Sequence, residues 1–262
     1  MPRLVDVMDD SHTYHSPQLQ QLIEKSGLSN WSISEFDWDQ TPIVPNDVTI
    51  TDYVDMISQL YHAELFTLKI CARLITEIPD FQALRFICTQ MNDEARHADV
   101  YAKYIQMLGK IAPVNERLAD IFSKTLAWTG SYCGLIVALN VVMESEALNQ
   151  QRKRIETLPC PIFKAINSRI IQDEARHSGF GFIYMRDKLP LLSEIEKNNI
   201  ITWIEGLWSD WKLANEDRYL ETGAAILRTS PEELDIRLKA QQRMFCKLGL
   251  VTSPHAVTEE VL

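Results

Sequence analysis

The sequence predicts an all-α fold, a four-helix bundle with additional helices at its N- and C-terminal ends, and three observations carry that reading. The pentapeptide Asp93-Glu94-Ala95-Arg96-His97 returns eighty positions later as Asp173-Glu174-Ala175-Arg176-His177. A glutamate precedes each copy at the same interval of 30 residues, Glu64 before Glu94 and Glu144 before Glu174. Apolar residues recur at three- and four-residue spacing over long stretches, and no stretch alternates in strand fashion for long. At a rise of about 1.5 Å per residue, such an interval lets the chain run out along one helix, turn, and return to the same level on an antiparallel neighbour. Four helices then bring six ligand-type side chains together at mid-height.

Residues 1–50 are rich in Ser, Asp and Pro and read as an arm with one short amphipathic helix around Gln18-Leu19-Gln20-Gln21-Leu22-Ile23. The core bundle occupies about 51–190. Thr51-Asp52 is expected to cap its first helix, whose apolar face holds Ile57, Leu60, Tyr61, Leu68, Cys71 and Ile75. Glu64 interrupts that stripe, and a carboxylate among apolar neighbours needs a chemical reason. Pro79-Asp80 separates this helix from the second, where Leu84, Ile87, Met91, Glu94, His97, Tyr101, Ile105 and Leu108 keep helical spacing as far as Gly109 and Pro113. A connecting helix near 115–126 follows, and Thr129-Gly130-Ser131 opens the third long helix, ended by Pro159 and Pro161. The fourth carries Phe163, Ile166, Ile170, Glu174, His177 and Tyr184 up to Leu189-Pro190. Accessory C-terminal helices over 191–250 include Trp203, Trp208 and Trp211, and the tail 253–262 is expected to be loosely held. Because the two halves must pack together to complete one site, 1–262 reads as a single domain.

With 262 residues, 46% of them hydrophobic, the chain can bury a sizeable core. A net charge of -10 without an offsetting Lys/Arg cluster excludes a nucleic-acid backbone or an anionic membrane surface as partner. Neither a signal peptide nor a long apolar span is evident, so a cytoplasmic protein is the expectation. The cysteines, Cys71, Cys88, Cys133, Cys160 and Cys246, are scattered and form no C-x-x-C pair, which speaks against a disulfide framework or an iron–sulfur cluster.

Glu-x-x-His on a helix aims a carboxylate and an imidazole at one point, since residues three apart share a face. Four buried glutamates cannot all stay ionised beside one another, because like charges in a poorly polarisable interior raise each other's pKa. Two divalent cations balance them, and oxygen-rich coordination with one imidazole per metal suits iron or manganese. The expected ligands are Glu64, Glu94, His97, Glu144, Glu174 and His177. Glu146 competes with Glu144, but Glu144 shares its helical face with Val137, Val141, Leu148 and Ile155, and the equal intervals favour it. Gly130, Gly134 and Ala138 signal either close helix packing or a substrate cavity leading toward Glu144. Gly179 and Gly181 signal close packing or a π-type irregularity. Asn140 reads as a core amide or a cavity residue, Arg96 as an outer-face ion-pairing residue, and His62 and His255 as non-ligands.

Through Glu64, Glu94-Ala-Arg-His97, Glu144 and Glu174-Ala-Arg-His177, about residues 51–190 resemble the ferritin-like di-iron carboxylate superfamily. The Asp-Glu-x-x-His form is more similar to ribonucleotide reductase small subunits and di-iron oxygenases than to simple ferritins. The resemblance implies a ferritin-like bundle holding two Fe ions, with Mn/Fe as the alternative, and O2 as co-substrate. It implies that Asp93 and Asp173 accept hydrogen bonds from the histidine of the opposite helix. Tyr101, four residues after His97, resembles a redox-active tyrosine. The p-aminobenzoate N-oxygenases carry a further histidine where this chain has Ile170. An O2-activating oxygenase or oxidase is implied, hydroxylating, N-oxygenating, desaturating or cleaving a small organic substrate through a peroxo-diferric intermediate. A ferritin- or rubrerythrin-like storage or peroxide-scavenging protein, or a radical-generating subunit, is the alternative. With no dinucleotide fingerprint in the chain, electrons would come from a ferredoxin or separate reductase, or from the substrate. The apolar, tryptophan-bearing C-terminal helices suggest a homodimer.

Overall fold

The computed structural model describes residues 14–221 and 229–251, the side chains of 216–221 excepted. Among them, α1 is Pro17–Leu28, α2 Ile50–Glu77, α3 Phe81–Gln106 and α4 Glu116–Leu126. The next rod, α5, has three pieces in succession: α-helical Tyr132–Ile136, π-helical Val137–Met143 and α-helical Glu144–Thr157. Then come α6 (Pro161–Lys188), α7 (Glu194–Glu221) and α8 (Pro231–Leu248). No described residue lies in a strand, and no described helix is long and apolar enough to cross a membrane. The tail expected to be loose, and His255 within it, lie outside the described residues.

Local chemistry sets the helix ends. Ser16 accepts from the Leu19 amide and Pro17 supplies a fixed φ at the first position of α1. The cap of α2 is Thr49, whose hydroxyl accepts from Asp52 N–H at 3.1 Å, so the helix begins before the expected Thr51-Asp52. Asp80 stands at the N-cap of α3 without capping it. Its carboxylate instead accepts from the Tyr184 hydroxyl and pairs with Lys188 Nζ at 2.6 Å, tying the start of α3 to the end of α6. A Ser230/Glu233 capping box opens α8, and Gly249, at φ 74°, closes it in the left-handed region that favours glycine.

The hairpins α2–α3 and α5–α6 pack side by side, with α3 against α6 and α2 against α5, which closes the four-helix bundle. α1 lies over α3 and α6, whereas α4 lies against α2 and α7 packs on α4. The core is split across the bundle. One apolar cluster gathers Phe66, Ile70, Phe86, Ile87, Val137, Val141 and Phe180, and another gathers Tyr53, Ile57, Tyr101, Tyr104, Phe163, Ile166 and Ile170. Along every bundle helix the residues between these clusters are the charged ones: Glu64, Glu94 with His97, Glu144, and Glu174 with His177. Burying each large apolar side chain stabilises by about 1.5–3 kcal/mol, and those two apolar layers hold together a charged layer that would not assemble alone.

Candidate metal centre

All six expected ligands converge. Glu64, Glu94, His97 and Glu174 bring one donor atom each within 4.8 Å of one another, and so do Glu94, Glu144, Glu174 and His177. Glu94 and Glu174 belong to both groups. Their oxygens divide accordingly. Glu94 turns Oε2 to His97 Nδ1 and Oε1 to His177 Nδ1, both at 3.1 Å. Glu174 turns Oε1 to His97 Nδ1 at 3.4 Å and Oε2 to His177 Nδ1 at 3.1 Å. Glu64 reaches toward His97 at 3.8 Å and Glu144 toward His177 at 4.0 Å. The donor set fits two metals: Glu94 and Glu174 are common to both groups, and each group adds one further carboxylate and one imidazole. Glu146 is buried too, but it pairs with Arg237 at 3.4 Å and stands outside both groups.

The electrostatics of the metal-free cluster lead to the same conclusion. Burial pushes the carboxyls of Glu64 and Glu144 well above the usual carboxylate range, helped at Glu144 by the charges of Glu174 and Glu94. Burial acts the same way on Glu94, but His177 outweighs it and holds that group down at about 2; Glu174 is likewise held low, through hydrogen bonds with Glu144 and both imidazoles. Burial also opposes charge on the imidazoles, yet their carboxylate partners raise both. Two carboxylates and two imidazoliums make a neutral metal-free cluster. Four carboxylates, two neutral imidazoles and two divalent ions make another, with the metals taking the place of protons.

Behind the imidazoles lies a second polar layer. His97 Nε2 meets Asp173 Oδ2 at 3.0 Å and His177 Nε2 meets Asp93 Oδ2 at 3.2 Å, each across to the opposite helix. With Nδ1 inward, each Nε2–H donates outward to an aspartate, which fixes ring and tautomer. Arg96 and Arg176 correct the sequence reading, since Arg96 is not an outer-face residue. Its guanidinium bonds Asp93 at 2.6 Å and Asp173 at 3.0 Å, and Arg176 bonds Asp173 at 2.6 Å and Asp93 at 2.9 Å. Two aspartates and two arginines thus form a closed lattice under the site. An arginine three residues after each aspartate, in both copies, was the available sign. Trp31 had no such sign: it comes from the arm, donates Nε1–H to Asp173 Oδ2 at 2.8 Å, and stacks beside His97 with centroids 6.1 Å apart. Gln90 is a further member, donating to Glu94 at 3.1 Å and Glu144 at 2.7 Å while accepting from Asn140 at 2.8 Å.

Asn140 is therefore a hydrogen-bonded core amide. Gly181 allows close packing, since a Cβ there would lie 2.9 Å from the Asn140 carbonyl carbon; the π-helical turns are on α5, facing it. Gly130 and Gly134 make room for the Trp128 ring, which also stacks on Trp203 at 4.2 Å. Only Ala138 of those small residues lines a cavity. That cavity holds about 200 Å³, opens onto Glu64, Glu144 and Glu174, and is otherwise walled mainly by apolar side chains such as Phe66, Phe122 and Val142. Ile204, Leu207, Trp208 and Trp211 of α7 roof it. Tyr101 stands apart from both ligand groups, buried, with hydrogen bonds to Asn167 and Gln151. Burial raises its phenol well above the ordinary value. His62 contacts the Ala112 carbonyl at 2.8 Å and takes no part in the cluster.

No family model and no curated protein matches the sequence. Solved structures do. An R2-like ligand-binding oxidase carrying a point substitution and an anaerobically reconstituted Mn/Fe cofactor superposes with a TM-score of 0.69 at 15% identity, over 88% of this chain and 93% of that one. The R2-like ligand-binding oxidase of Sulfolobus acidocaldarius matches with a TM-score of 0.66 at 14% identity, over 96% of both chains. A Bacillus halodurans protein provisionally assigned as a class I ribonucleotide reductase matches with 0.65 at 12% identity, over 90% and 96%. Together with the buried carboxylate and histidine cluster, these likenesses show that the chain has the ferritin-like fold of the R2-like proteins.

Proposed function

We propose that the chain is an O2-activating dimetal oxidoreductase that oxidises a small, largely apolar organic substrate. Glu64, Glu94, His97, Glu144, Glu174 and His177 would hold two Fe ions, or Mn/Fe. The observation that carries this reading is the apolar cavity opening onto the metal-facing carboxylates, since an iron store has no use for an organic-sized void beside its ligands. Two reduced metal ions bound there would supply the electrons that reduce O2 and, once oxidised, the oxidising power for the substrate. The chain's own residues do the rest. Glu94 and Glu174 keep the metals adjacent, Asp93 and Asp173 orient the imidazoles, and Gln90 steadies Glu144. The cavity wall excludes water and seats the substrate against the metal edge formed by Glu64, Glu144 and Glu174.

Hydroxylation, N-oxygenation, desaturation and C–C cleavage all suit such a site, and an external ferredoxin or reductase would return the electrons. The same reading includes a homodimer. The test is to load ferrous iron anaerobically, admit O2, and follow O2 uptake, visible absorption and EPR. O2 consumption in step with iron oxidation, with loading that stops at two metals, supports the proposal. Continued uptake of iron beyond that would assign storage, and a long-lived tyrosyl signal would assign a radical-generating subunit.

A further inference from the structure

We infer that the Thr67 hydroxyl seats the substrate, and that the substrate is an apolar molecule bearing one oxygen or nitrogen function near the position that reacts. The inference rests on the reading above in taking the cavity as the substrate's seat, but it uses none of the metal chemistry.

Thr67 is the exception among the buried serine and threonine side chains of the described helices. A hydroxyl inside a helix commonly gives its proton to a carbonyl one turn back. Ser58 does so with Val54 and Thr125 with Ile121, both at 2.8 Å, while Ser178 pairs with Ser145 at 3.0 Å. Thr67 is only 9% exposed, yet among the described residues its hydroxyl has no hydrogen-bond partner. Nor is that oxygen one of the unpartnered polar atoms sealed inside the protein, so the space it meets is the cavity that Thr67 lines. Helix α2 sets its place. Leu60, Ala63, Glu64 and Thr67 all line the cavity, and their spacing puts them on one helical face. Residues three apart on a helix have Cβ atoms about 5–6 Å from one another, so a molecule held on the Thr67 hydroxyl lies close to Glu64.

The other polar side chains of the wall have different duties. Glu64, Glu144 and Glu174 belong to the metal-donor groups, and Glu146 pairs with Arg237 at 3.4 Å. Gln151 gives its amide to Tyr101, and its carbonyl oxygen is sealed away. Gln150 reaches Thr229 at 3.5 Å and Arg154 has a partner of its own. Both also line an adjoining, more polar pocket with Asn115, Lys153 and Asn215, a pocket in which Thr67 and the metal-facing carboxylates take no part. The indoles of Trp208 and Trp211 can only donate. At the metal-facing end, Thr67 is thus the group that can both donate and accept. Such a hydroxyl separates a functionalised molecule from a bare hydrocarbon, not one heteroatom from another. A buried polar group without a partner is a cost to the empty protein, and a ligand that bonds it removes the cost.

Calorimetric titration of anaerobic, ferrous-loaded protein with cyclopentanol and with methylcyclopentane tests the inference, since the two differ in a hydroxyl for a methyl. The alcohol is expected to bind about three- to tenfold more tightly. Thr67→Val makes the same exchange in the protein and should bring the ratio close to one by weakening the alcohol alone. Its Tm should be unchanged or higher, because the unpartnered hydroxyl is gone. Equal binding to the wild type, including failure of both to bind, overturns the inference, as does a ratio that survives Thr67→Val. A clear fall in Tm would assign the hydroxyl to the fold and overturn it too. Normal O2 uptake without a Thr67-dependent preference would sink this inference alone. The same preference in a protein that takes up no metal would defeat the functional reading and leave this one standing.

Discussion

The two sides of the charged layer are built on different plans. On the α3/α6 side everything is doubled: Glu94 and Glu174 belong to both donor groups, His97 and His177 to one each, and Asp93, Arg96, Asp173 and Arg176 interlock beneath them. On the α2/α5 side almost nothing is. Glu64 sits on a regular helix, Glu144 follows seven π-helical residues, and the space between opens into a cavity roofed by α7. In the proposed function the doubled side would hold the metals, which need the same ligands twice, and the single side would receive a substrate, which is not symmetric. Even the doubled side has one flaw in its symmetry, because Trp31 serves the His97–Asp173 pair alone and Phe86 lies edge-on to His177.

The largest effect should come from removing the shared ligands. Glu94→Ala with Glu174→Ala is expected to abolish binding of both metals, whereas Glu64→Ala should spare the His177 half; metal analysis of the purified variants decides. Equal losses would mean that the halves do not share their carboxylates. On the cavity side, Trp208→Ala should cost about 3–5 kcal/mol in stability, read as a lower Tm, and leave metal content near normal. Loss of metal in that variant would break the division of labour between the two sides.

Smaller changes sharpen the asymmetry within the doubled side. Asp173→Asn should weaken metal binding by about 10–100-fold, and Asp93→Asn by less, because Asp173 also anchors Trp31. Trp31→Phe keeps a ring beside His97 but loses the N–H, so a drop of about tenfold or less is expected in the same titration. The smallest effect is one of protons. Glu64, Glu144 and both imidazoles are all raised in the metal-free cluster, so loading should release about four protons per metal pair and weaken as pH falls. Potentiometric titration during loading measures this, and release of none would contradict the neutral-cluster account.

How much of this was legible in the sequence follows the same division. The repeat, the 30-residue intervals and the helical spacing gave the bundle and brought six residues to one place, because helix periodicity is a local property. The structure places Glu144 and not Glu146 in the donor cluster, although the reasoning for that choice assumed a regular helix and the π turns shift the faces: Leu148 and Ile155 are only partly buried, while Glu146 is buried. Arg96 was misread because charge suggests solvent, and only the opposing copy supplies the aspartate that makes burial favourable. Trp31 and the roof tryptophans depend on how the arm and α7 fold back. No spacing within 1–50 or 191–250 encodes those long-range contacts.

The most direct test of a shared, two-metal site is anomalous diffraction at the iron and manganese edges from crystals of the metal-loaded protein. Two peaks per chain are expected, both between Glu94 and Glu174, one beside His97 Nδ1 with Glu64 and one beside His177 Nδ1 with Glu144. A single peak, peaks on the Nε2 side of the imidazoles, or no metal in the charged layer would contradict the account.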